Sequence, residues 1–314
     1  MSIYLISLIV LLVILLIYLR LAKRYKIFDI PNNRSSHKII TIRGGGIVFP
    51  ISLFIYFILS GFEYPLFMLG ILIISIISFM DDIKSLQPLI RLAVQIIVVL
   101  LVLFELFSEV SLFYFLIVLF IMLGGLNAYN FMDGINGMTA SYSLVILSTL
   151  YYINESLLFV DSDLIIFPLL SVLVFLFFNF RVKALCFSGD VGSLSLALLI
   201  LFLLFKLIIF TGEPLYALFL IIYAVDSGLT LINRKLNGEN VFKPHRSHLY
   251  QQLVHLKGYS HLNISLSYSF IQLVINYLII FHLIKIGNSI FWLIVLTALS
   301  IFMYNLIKNI LNER

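Results

Sequence analysis

Aspartates interrupt an otherwise apolar sequence at places where chemistry could occur. Asp81 and Asp82 end an apolar stretch, and Asp190 lies between two glycines in FSGDVGS (187–193). A carboxylate in a transmembrane helix costs about 2.5–3.5 kcal/mol on insertion scales, so such residues usually serve a function. Adjacent aspartates can also raise one another's pKa or share a divalent cation. A helix cap or a helix end in water would explain one aspartate, but explains the Asp81–Asp82 pair poorly.

The segment NAYNFMDGING (127–137) combines amides with a carboxylate. Asn127, Asn130 and Asp133 are spaced by three residues, so they share one face if the helix continues. Such a face suits a nucleobase, a ribose or metal-bound water. We favour this function over a plain polar helix terminus with an asparagine-rich cap. Asn136 is a further candidate binding residue in the same motif.

Two basic segments could bind phosphate. The first, RSSHKIITIRGGG (34–46), has four candidates, Arg34, His37, Lys38 and Arg43. Its glycines would let the backbone approach a ligand, and a helix N-terminus favours anions, although alone it could be an ordinary basic loop. The second, PHRSHLYQQL (244–253), has His245, Arg246 and His248. Arginine binds phosphate as a bidentate fork, whereas zinc would call for cysteines or a helical HExxH pattern.

The composition requires lipid as the solvent of this chain. Of 314 residues, 62% are hydrophobic and 11% are charged, and the mean hydropathy is +1.14. Soluble domains contain about 25% charged residues. A single cysteine, Cys186, excludes an internal disulfide or a thiolate metal site. The net charge of +5 comes from loops beside apolar spans, so we expect no nucleic-acid partner.

Apolar runs of about 20 residues predict about eleven transmembrane helices. They are expected at 2–20, 44–61, 65–81, 88–105, 111–127, 138–154, 164–180, 191–209, 214–233, 262–284 and 288–307. Residues 3–19 show no cleavage pattern and are expected to remain as a helix. The sequence therefore predicts an all-α polytopic membrane protein, with residues 1–314 as one domain.

The distribution of charge predicts the orientation of these spans. If loops alternate between sides, all of the 20 Lys and Arg residues except Lys206 and Lys285 fall on one side. The opposite loops carry acidic residues such as Glu63 and Asp161. The positive-inside rule then places the N-terminus in the periplasm and the C-terminus in the cytoplasm. All the polar motifs would face the cytoplasm.

The order of the motifs resembles one enzyme family. DxP, RSSH and RGGG are followed by DD, NxxNxxDGxNG, FxGDxGS and PHRxH, from Asp29 to about Leu253. This order is similar to that of the polyprenyl-phosphate N-acetylhexosamine-1-phosphate transferases. The family includes the phospho-N-acetylmuramoyl-pentapeptide transferase of peptidoglycan synthesis and the enzymes that start O-antigen, enterobacterial common antigen and teichoic acid linkage units. The resemblance implies transfer of N-acetylhexosamine 1-phosphate from a UDP-sugar to undecaprenyl phosphate, with release of UMP, at the bacterial cytoplasmic (inner) membrane.

The resemblance also implies roles for individual residues. The expected catalytic set is Asp81, Asp82, Asp133 and Asp190. Asp190 is the expected Mg²⁺ ligand, with Asp82 as a second ligand and Mn²⁺ as a substitute ion. Asp81 is our preferred base for the lipid phosphate, and direct attack is preferred to a covalent aspartyl intermediate. Nucleotide and metal contacts are expected from Asn127, Asn130, Asn136 and Asn179, and pyrophosphate and sugar contacts from His245, Arg246 and His248.

Departures from the family pattern narrow the branch. Ile42 stands where many relatives have proline, and Tyr250 stands where other branches have a further histidine. The absence of the histidine run of the peptidoglycan branch argues against a muramoyl-pentapeptide donor, and the PHRSHLYQQL form resembles the branch that starts O-antigen or related surface glycans. N-acetylglucosamine, N-acetylfucosamine and N-acetylquinovosamine remain alternative sugars, and the family implies a homodimer.

Two other classes of protein compete with the enzyme hypothesis. A secondary transporter also has intramembrane carboxylates, but it would hold them near the membrane midplane and show repeated halves. A structural subunit of a membrane complex would not require five dense polar motifs. Release of UMP that needs both substrates would distinguish the transferase from the transporter.

Overall fold

The computed structural model describes residues 2–31, 36, 39–107, 110–240 and 245–312 of the chain. Nearly all of its regular structure is helical, and its elements follow in one order. They are α1 (Ser2–Arg24), β1 (Phe28–Asp29), β2 (Thr41–Ile42), a 3₁₀ turn (Gly45–Ile47), α2 (Val48–Leu59), α3 (Pro65–Ile83), α4 (Pro88–Leu106), α5 (Leu112–Phe131), α6 (Met138–Leu157), α7 (Asp163–Asn179), α8 (Gly189–Thr211), a 3₁₀ helix (Pro214–Leu220), α9 (Ile221–Leu236), α10 (Leu249–Lys257), α11 (His261–Leu278), a π-helical turn (Ile279–Leu283), α12 (Ile284–Ile286) and α13 (Ser289–Asn312).

Helix α8 forms the centre of the bundle. It is apolar on every side, and all residues from Val191 to Leu204 are buried. A helix that is hydrophobic all round has no face to offer water and must be covered by other helices. Helices α3 and α5 supply much of that cover, and the Phe67 ring of α3 stacks on Phe202 of α8 at 4.2 Å between centroids.

Peripheral helices expose apolar side chains outward. Leu112, Phe113 and Phe120 on α5, and Phe302 on α13, are all largely exposed. Contiguous apolar surface of this kind is unfavourable in water and is expected where lipid surrounds the protein. Within the described residues, eight helical stretches are long and apolar enough to cross a membrane. The protein is therefore a polytopic, mainly α-helical membrane protein.

Every predicted span coincides with a helix of the structure, but not every helix is long or apolar enough to count as a span. The apolar helical stretches Gly45–Leu59 and Asp163–Asn179 are shorter than the other spans. The predicted span at 138–154 falls on α6, which has 20 residues but is more polar, with Thr, Ser, Asn and Glu along its length. The count of eleven and the orientation of the termini thus remain predictions.

Two small elements lie outside the predicted spans, and only the first of them departs from an all-α fold. Residues Phe28–Asp29 and Thr41–Ile42 form a two-stranded antiparallel sheet. The polar stretch before α11 contains the short helix α10, which begins directly after His248. Both elements lie between the longer helices, and both contribute to the site described next.

Candidate active site

Two glycine-containing loops join at the end of the bundle and form the base of the site. The backbone N–H groups of Gly45 and Gly46 donate to the carbonyls of Phe187 and Ser188, at 2.8 and 2.9 Å. A side chain on Gly46 would overlap the Gly192 backbone, so these two segments of the chain are in contact at positions where neither has a Cβ atom. These glycines therefore pack the RGGG loop against the start of α8, rather than only admitting a ligand.

This packing brings Arg43 to two carboxylates. Its Nε lies 2.6 Å from Asp82 Oδ1, and its Nη2 lies 3.1 Å from Asp190 Oδ1. Burial alone would lower the pKa of Arg43, but the neighbouring Asp82 and Asp190 carboxylates outweigh it and raise that pKa. Arg43 is thus a permanent cation at the N-terminus of α8.

Asp82 caps the N-terminus of α8 from the end of α3. Its two carboxylate oxygens accept the backbone N–H groups of Asp190 and Val191, at 2.9 and 3.1 Å. A side chain on Gly189, whose φ is +71°, would collide with the Asp82 carboxylate. Free N–H groups and the helix dipole both favour a carboxylate at this position. Because its oxygens are taken up by these groups and by Arg43, Asp82 positions Asp190.

Asp81 turns the other way and binds a second arginine. Its Oδ2 lies 3.0 Å from Arg91 Nη1, which is also 3.6 Å from Asp190 Oδ2. The backbone N–H of Leu86 donates to the other oxygen of Asp81. Asp190 therefore lies between two guanidinium groups, each of which also pairs with one of the adjacent aspartates.

Asp133 reaches the same site from the loop after α5. Its carboxylate accepts hydrogen bonds from the hydroxyl groups of Thr139 and Ser188. Burial raises the pKa of Asp133 to about 7. Asn130, one turn earlier, donates to Ser193 of α8 at 2.9 Å, so this motif and the FSGDVGS loop are held together by side-chain hydrogen bonds.

A cavity of about 220 Å³ opens between these loops. Its lining is Asp29, Ser36, Arg43, Asn130, Asp133, Gly134, Ile135, Asn136, Asn179, Phe187, Ser188, Gly189, Asp190, Gln251 and His261. Asp81 and Arg91 instead border a much smaller apolar cleft, together with Asp190. Asp190 is the carboxylate shared by the two spaces.

The donor atoms around the cavity fit a hard cation such as Mg²⁺. Asp133 and Asp190 present carboxylate oxygens, and Ser188 and Asn130 add neutral oxygens. Among the described residues, no three His, Cys, Asp or Glu side chains are grouped as a closed metal site. Magnesium is commonly bound by one or two carboxylates and completed by substrate phosphates and water, which suits an open set of this kind. Asp82, predicted as a second ligand, has its oxygens engaged below the cavity.

The remaining predicted binding residues fall into three groups. Asn136 and Asn179 line the cavity and also fasten its walls, because Asn136 donates to the Arg181 carbonyl and Asn179 accepts from the Gly137 N–H. Asn127 does not line the cavity; its carboxamide pairs with Gln95 of α4 at 2.9 Å. Predicted residues Arg34, His37 and Lys38 lie outside the described residues.

His245, Arg246 and His248, which were predicted to contact pyrophosphate and sugar, are not among the residues that line the cavity. The His245 ring accepts from the Ser247 backbone, and burial together with nearby His248 lowers the pKa of His245 to about 4. His245 is therefore neutral at physiological pH, whereas Arg43 at the cavity carries a positive charge.

Behind His248 lies a second, closed carboxylate centre on α9. Asp226 is 2% exposed and accepts the backbone N–H groups of Leu249 and Tyr250, at 2.9 and 3.3 Å. The Tyr268 hydroxyl donates to it at 2.7 Å, and His248 Nδ1 lies 3.4 Å away. Asp226 thus caps α10 as Asp82 caps α8, but it does not border the cavity.

Five polar residues that line the cavity were not named as site residues by the sequence analysis: Asp29, Ser36, Ser188, Gln251 and His261. Ser188 and Gln251 belong to motifs that were recognised, but neither has a reactive or charged side chain that would single it out. His261 lies directly before the predicted span at 262–284; it lines the cavity, and its Nδ1 accepts a hydrogen bond from the Asn136 backbone N–H at 3.4 Å. The start of α11 brings it there, which no local pattern reveals.

The fold and the site define a class: a polytopic membrane protein with a carboxylate- and arginine-lined cavity at the ends of its helices. Glycosyl transferase family 4 matches the chain over residues 64–208. A Bacillus subtilis (strain 168) protein named as a probable undecaprenyl-phosphate N-acetylglucosaminyl 1-phosphate transferase is 29% identical over 283 residues, covering 82% of this chain and 78% of that protein. The undecaprenyl-phosphate alpha-N-acetylglucosaminyl 1-phosphate transferase of Thermotoga maritima is 26% identical and covers 90% of each chain.

A third relative matches only part of the chain. The phospho-N-acetylmuramoyl-pentapeptide-transferase of Carboxydothermus hydrogenoformans is 31% identical over 171 residues, covering 52% of this chain and 50% of that protein. The family match and these relatives support the polyprenyl-phosphate N-acetylhexosamine-1-phosphate transferase family, which is the family that the order of the motifs resembles.

Proposed function

We propose that this protein transfers an N-acetylhexosamine 1-phosphate from a UDP-sugar to undecaprenyl phosphate and releases UMP. The observation that carries the proposal is the placement of Arg43, Asp133 and Asp190 around one cavity at the ends of apolar helices. A lipid-bound phosphate must meet a water-soluble nucleotide at such a boundary. The relatives that match most of the chain are named for transfer to undecaprenyl phosphate.

The proposed reaction joins two anions. An oxygen of the lipid phosphate attacks the sugar-linked phosphorus of the donor, and the bond from that phosphorus to the bridging oxygen of the pyrophosphate breaks. UMP leaves with the bridging oxygen, and the lipid phosphate and sugar phosphate become a new diphosphate. A phosphate monoester is largely ionised near pH 7, so we favour direct attack, with little need for a base.

The arginines offset the repulsion between these anions. We assign Arg43, at the cavity, to the donor pyrophosphate, because guanidinium groups bind phosphate oxygens in pairs. We assign Arg91 and Asp81 to the acceptor side, because they border the apolar cleft next to Asp190. Correct placement of the two phosphates supplies much of the rate enhancement in phosphoryl transfer.

Asp190 and Asp133 are the proposed holders of a divalent cation. Mg²⁺, with Mn²⁺ as a substitute, would neutralise charge on the pyrophosphate and on the departing UMP. Asp82 and Arg43 fix the Asp190 backbone and side chain. Asp133 is held by Thr139 and Ser188, so its carboxylate is oriented before a cation arrives.

The proposed donor carries an N-acetylhexosamine rather than a muramoyl pentapeptide. Relatives named for N-acetylglucosamine 1-phosphate transfer are covered at 78% and 90% of their length, whereas the pentapeptide transferase of Carboxydothermus is covered at 50%. The product would begin a lipid-linked surface glycan, such as O-antigen, at the cytoplasmic face of the inner membrane.

The function is tested with the full chain purified in detergent. Undecaprenyl phosphate, Mg²⁺ and one of several UDP-N-acetyl sugars are supplied, and UMP release is measured. We expect release with at least one donor, none when the lipid phosphate is omitted, and none after EDTA treatment until Mg²⁺ is restored. Folded protein that releases no UMP with any donor, including UDP-N-acetylmuramoyl pentapeptide, would overturn the proposal. Substrate movement into vesicles without cleavage would instead indicate a transporter.

A further inference from the structure

Gln251 presents a buried, unpaired acceptor to the cavity. It is the third residue of α10, is 9% exposed and belongs to the cavity lining. Among the described residues that line the cavity, Gln251 alone buries a side-chain polar atom, Oε1, for which the structure shows no hydrogen-bond partner. Buried polar atoms in native proteins are almost always hydrogen-bonded, so an unpaired one beside a cavity indicates a ligand partner.

The position of Gln251 is fixed by its neighbours in the sequence. The backbone N–H groups of Leu249 and Tyr250 are held by Asp226, so the first turn of α10 cannot rotate freely. The Tyr250 hydroxyl donates to the Phe131 carbonyl at 2.9 Å and fills the space beside Gly134. Gln251 is therefore carried on a turn that is held at both of the preceding residues, and its buried Oε1 remains for a ligand.

The chemistry of this oxygen restricts what it can bind. A carboxamide oxygen only accepts hydrogen bonds, and an ionised phosphate also only accepts them. Gln251 Oε1 must then face an uncharged part of the donor that carries a hydrogen-bond donor. The charged part of the donor has its own partners in Arg43 and in the carboxylates of Asp133 and Asp190, which line the same cavity.

We infer that Gln251 is a specificity-determining residue that accepts a hydrogen bond from an amide-type N–H of the sugar nucleotide. This inference rests on the proposed function, since it takes a UDP-N-acetyl sugar as the ligand. Two groups of that ligand supply such an N–H: the acetamido substituent of the sugar and the imide of the uracil. Sites built to hydrogen-bond one substrate group reject analogues that lack it, because the site's polar atom is then left unpaired.

The adjacent glutamine provides a matched control. Gln252 lies on the same helix and also buries an unpaired Oε1, but it is not among the described residues that line the cavity. Its carboxamide nitrogen donates to the Ser247 carbonyl at 3.3 Å. Substitution by methionine at either position preserves side-chain length and removes the amide. An effect caused only by loss of a glutamine from α10 would appear in both variants.

The test compares Gln251→Met, Gln252→Met and wild type as full chains in detergent. Binding of UMP, UDP-N-acetylglucosamine and UDP-glucose is measured by calorimetry. UMP release is measured with the N-acetyl sugar that wild type uses best and with its analogue that lacks the acetamido group. Size-exclusion elution and thermal unfolding confirm that each variant is folded. We expect Gln251→Met to lose about ten-fold in affinity for the contacted group, the effect of leaving one buried hydrogen-bonding group unpaired, and Gln252→Met to bind as wild type.

The pattern of losses identifies the contacted group. If the acetamido N–H is the partner, UMP affinity is unchanged and the preference for the N-acetyl sugar over its analogue falls about ten-fold. If the uracil imide is the partner, affinity for all three nucleotides falls together. Folded Gln251→Met that keeps wild-type affinities and preference would overturn the inference while leaving the transferase proposal intact. Absence of UMP release from wild type would overturn the transferase proposal, and the binding of UMP, UDP-N-acetylglucosamine and UDP-glucose would still test Gln251.

Discussion

The molecule contains two buried carboxylate centres, at Asp82 and at Asp226. Both cap the N-terminus of a helix, but they differ in their other partners and in whether they open onto the cavity. Asp82 and Asp226 each accept two backbone N–H groups from the first turn of a helix, α8 and α10 respectively. Around Asp226 the remaining partners are Tyr268, Thr230 and His248, and the centre is closed. Around Asp82 lie Arg43 and Asp190, and the centre opens onto the cavity.

This difference shows that a buried aspartate is not by itself a sign of catalysis. Capping a helix satisfies N–H groups that would otherwise lie unpaired in an apolar environment, which is costly inside a membrane. The groups available for chemistry are those with carboxylate oxygens at the cavity, Asp133 and Asp190. The capping aspartates hold these groups and the cavity walls in place.

Asp190→Asn should give the largest effect of the open centre. The amide is the same size but lacks the negative charge that faces the two arginines and would face the proposed cation. We expect UMP release to fall about 10³-fold, comparable with loss of a key transition-state contact, with little change in thermal unfolding. Asp161→Asn, an exposed acid in the loop before α7, is the control and should be silent. Wild-type activity in Asp190→Asn would remove this residue from the proposed mechanism.

Asp82→Asn should damage both stability and activity. The amide can accept with one oxygen only and leaves the buried side of Arg43 without its carboxylate. We expect the free energy of unfolding to fall by about 3 kcal/mol, as when one partner of a buried ion pair is removed, and UMP release to fall about 100-fold because α8 loses its anchor. Denaturant unfolding in detergent and UMP release measure the two effects. Unchanged stability would contradict the capping role.

Asp226→Asn should lower stability with little effect on activity, and this would distinguish the closed centre at Asp226 from the open centre at Asp82. It removes acceptor capacity for α10 and Tyr268, so we expect about 2 kcal/mol lower stability. Activity at saturating substrate should stay within about ten-fold of wild type, because Asp226 touches nothing in the cavity. The same two assays apply. A folded variant that is as inactive as Asp190→Asn would show that the closed centre takes part in the reaction, and the contrast between the centres would fail.

Titration of Asp133 should make the free energy of unfolding depend on pH, an effect smaller than those of the substitutions above. Its pKa is about 7 in the folded protein and 3.8 in the unfolded chain, because burial disfavours the carboxylate. Between these values the folded state binds the extra proton, so stability should fall as pH rises through this interval, by at most about 1.4 kcal/mol per pH unit. The loss is complete above pH 7.

The measurement for Asp133 is thermal unfolding from pH 5 to 8 in EDTA. Asp133→Asn is neutral throughout and should flatten this part of the profile, whereas Asp161→Asn should leave it unchanged. Identical slopes in wild type and Asp133→Asn would show that the carboxylate is not raised into the neutral range. Because Mg²⁺ would compete with the proton, its addition to wild type should also flatten the slope.

Individual residues show which parts of the site can be predicted from local sequence patterns and which cannot. Asp190 was recognised as a charge between glycines, and Asp133 was recognised by its spacing of three residues from Asn130; the structure brings both to one cavity. Asn127 belongs to the same three-residue series as Asp133, yet it faces Gln95 of α4, because helical periodicity defines a face but not what that face contacts. Gln251 has no charge to mark it, and its unpaired oxygen is visible only when α10 is placed against the cavity.

Lipid as the solvent, the helices and the resemblance to a family could all be predicted from the sequence alone. These properties follow from composition, from apolar runs long enough to span lipid and from the order of motifs, all of which are local or sequential. Which aspartates cap helices and which face the cavity depends instead on tertiary packing. The tertiary structure also shows that the RGGG loop packs on α8 through backbone hydrogen bonds, and that Arg43 thereby reaches Asp82 and Asp190. These outcomes depend on contacts between residues more than 100 positions apart in many cases, such as Asp82 with Val191, and such contacts arise from packing rather than from neighbouring letters.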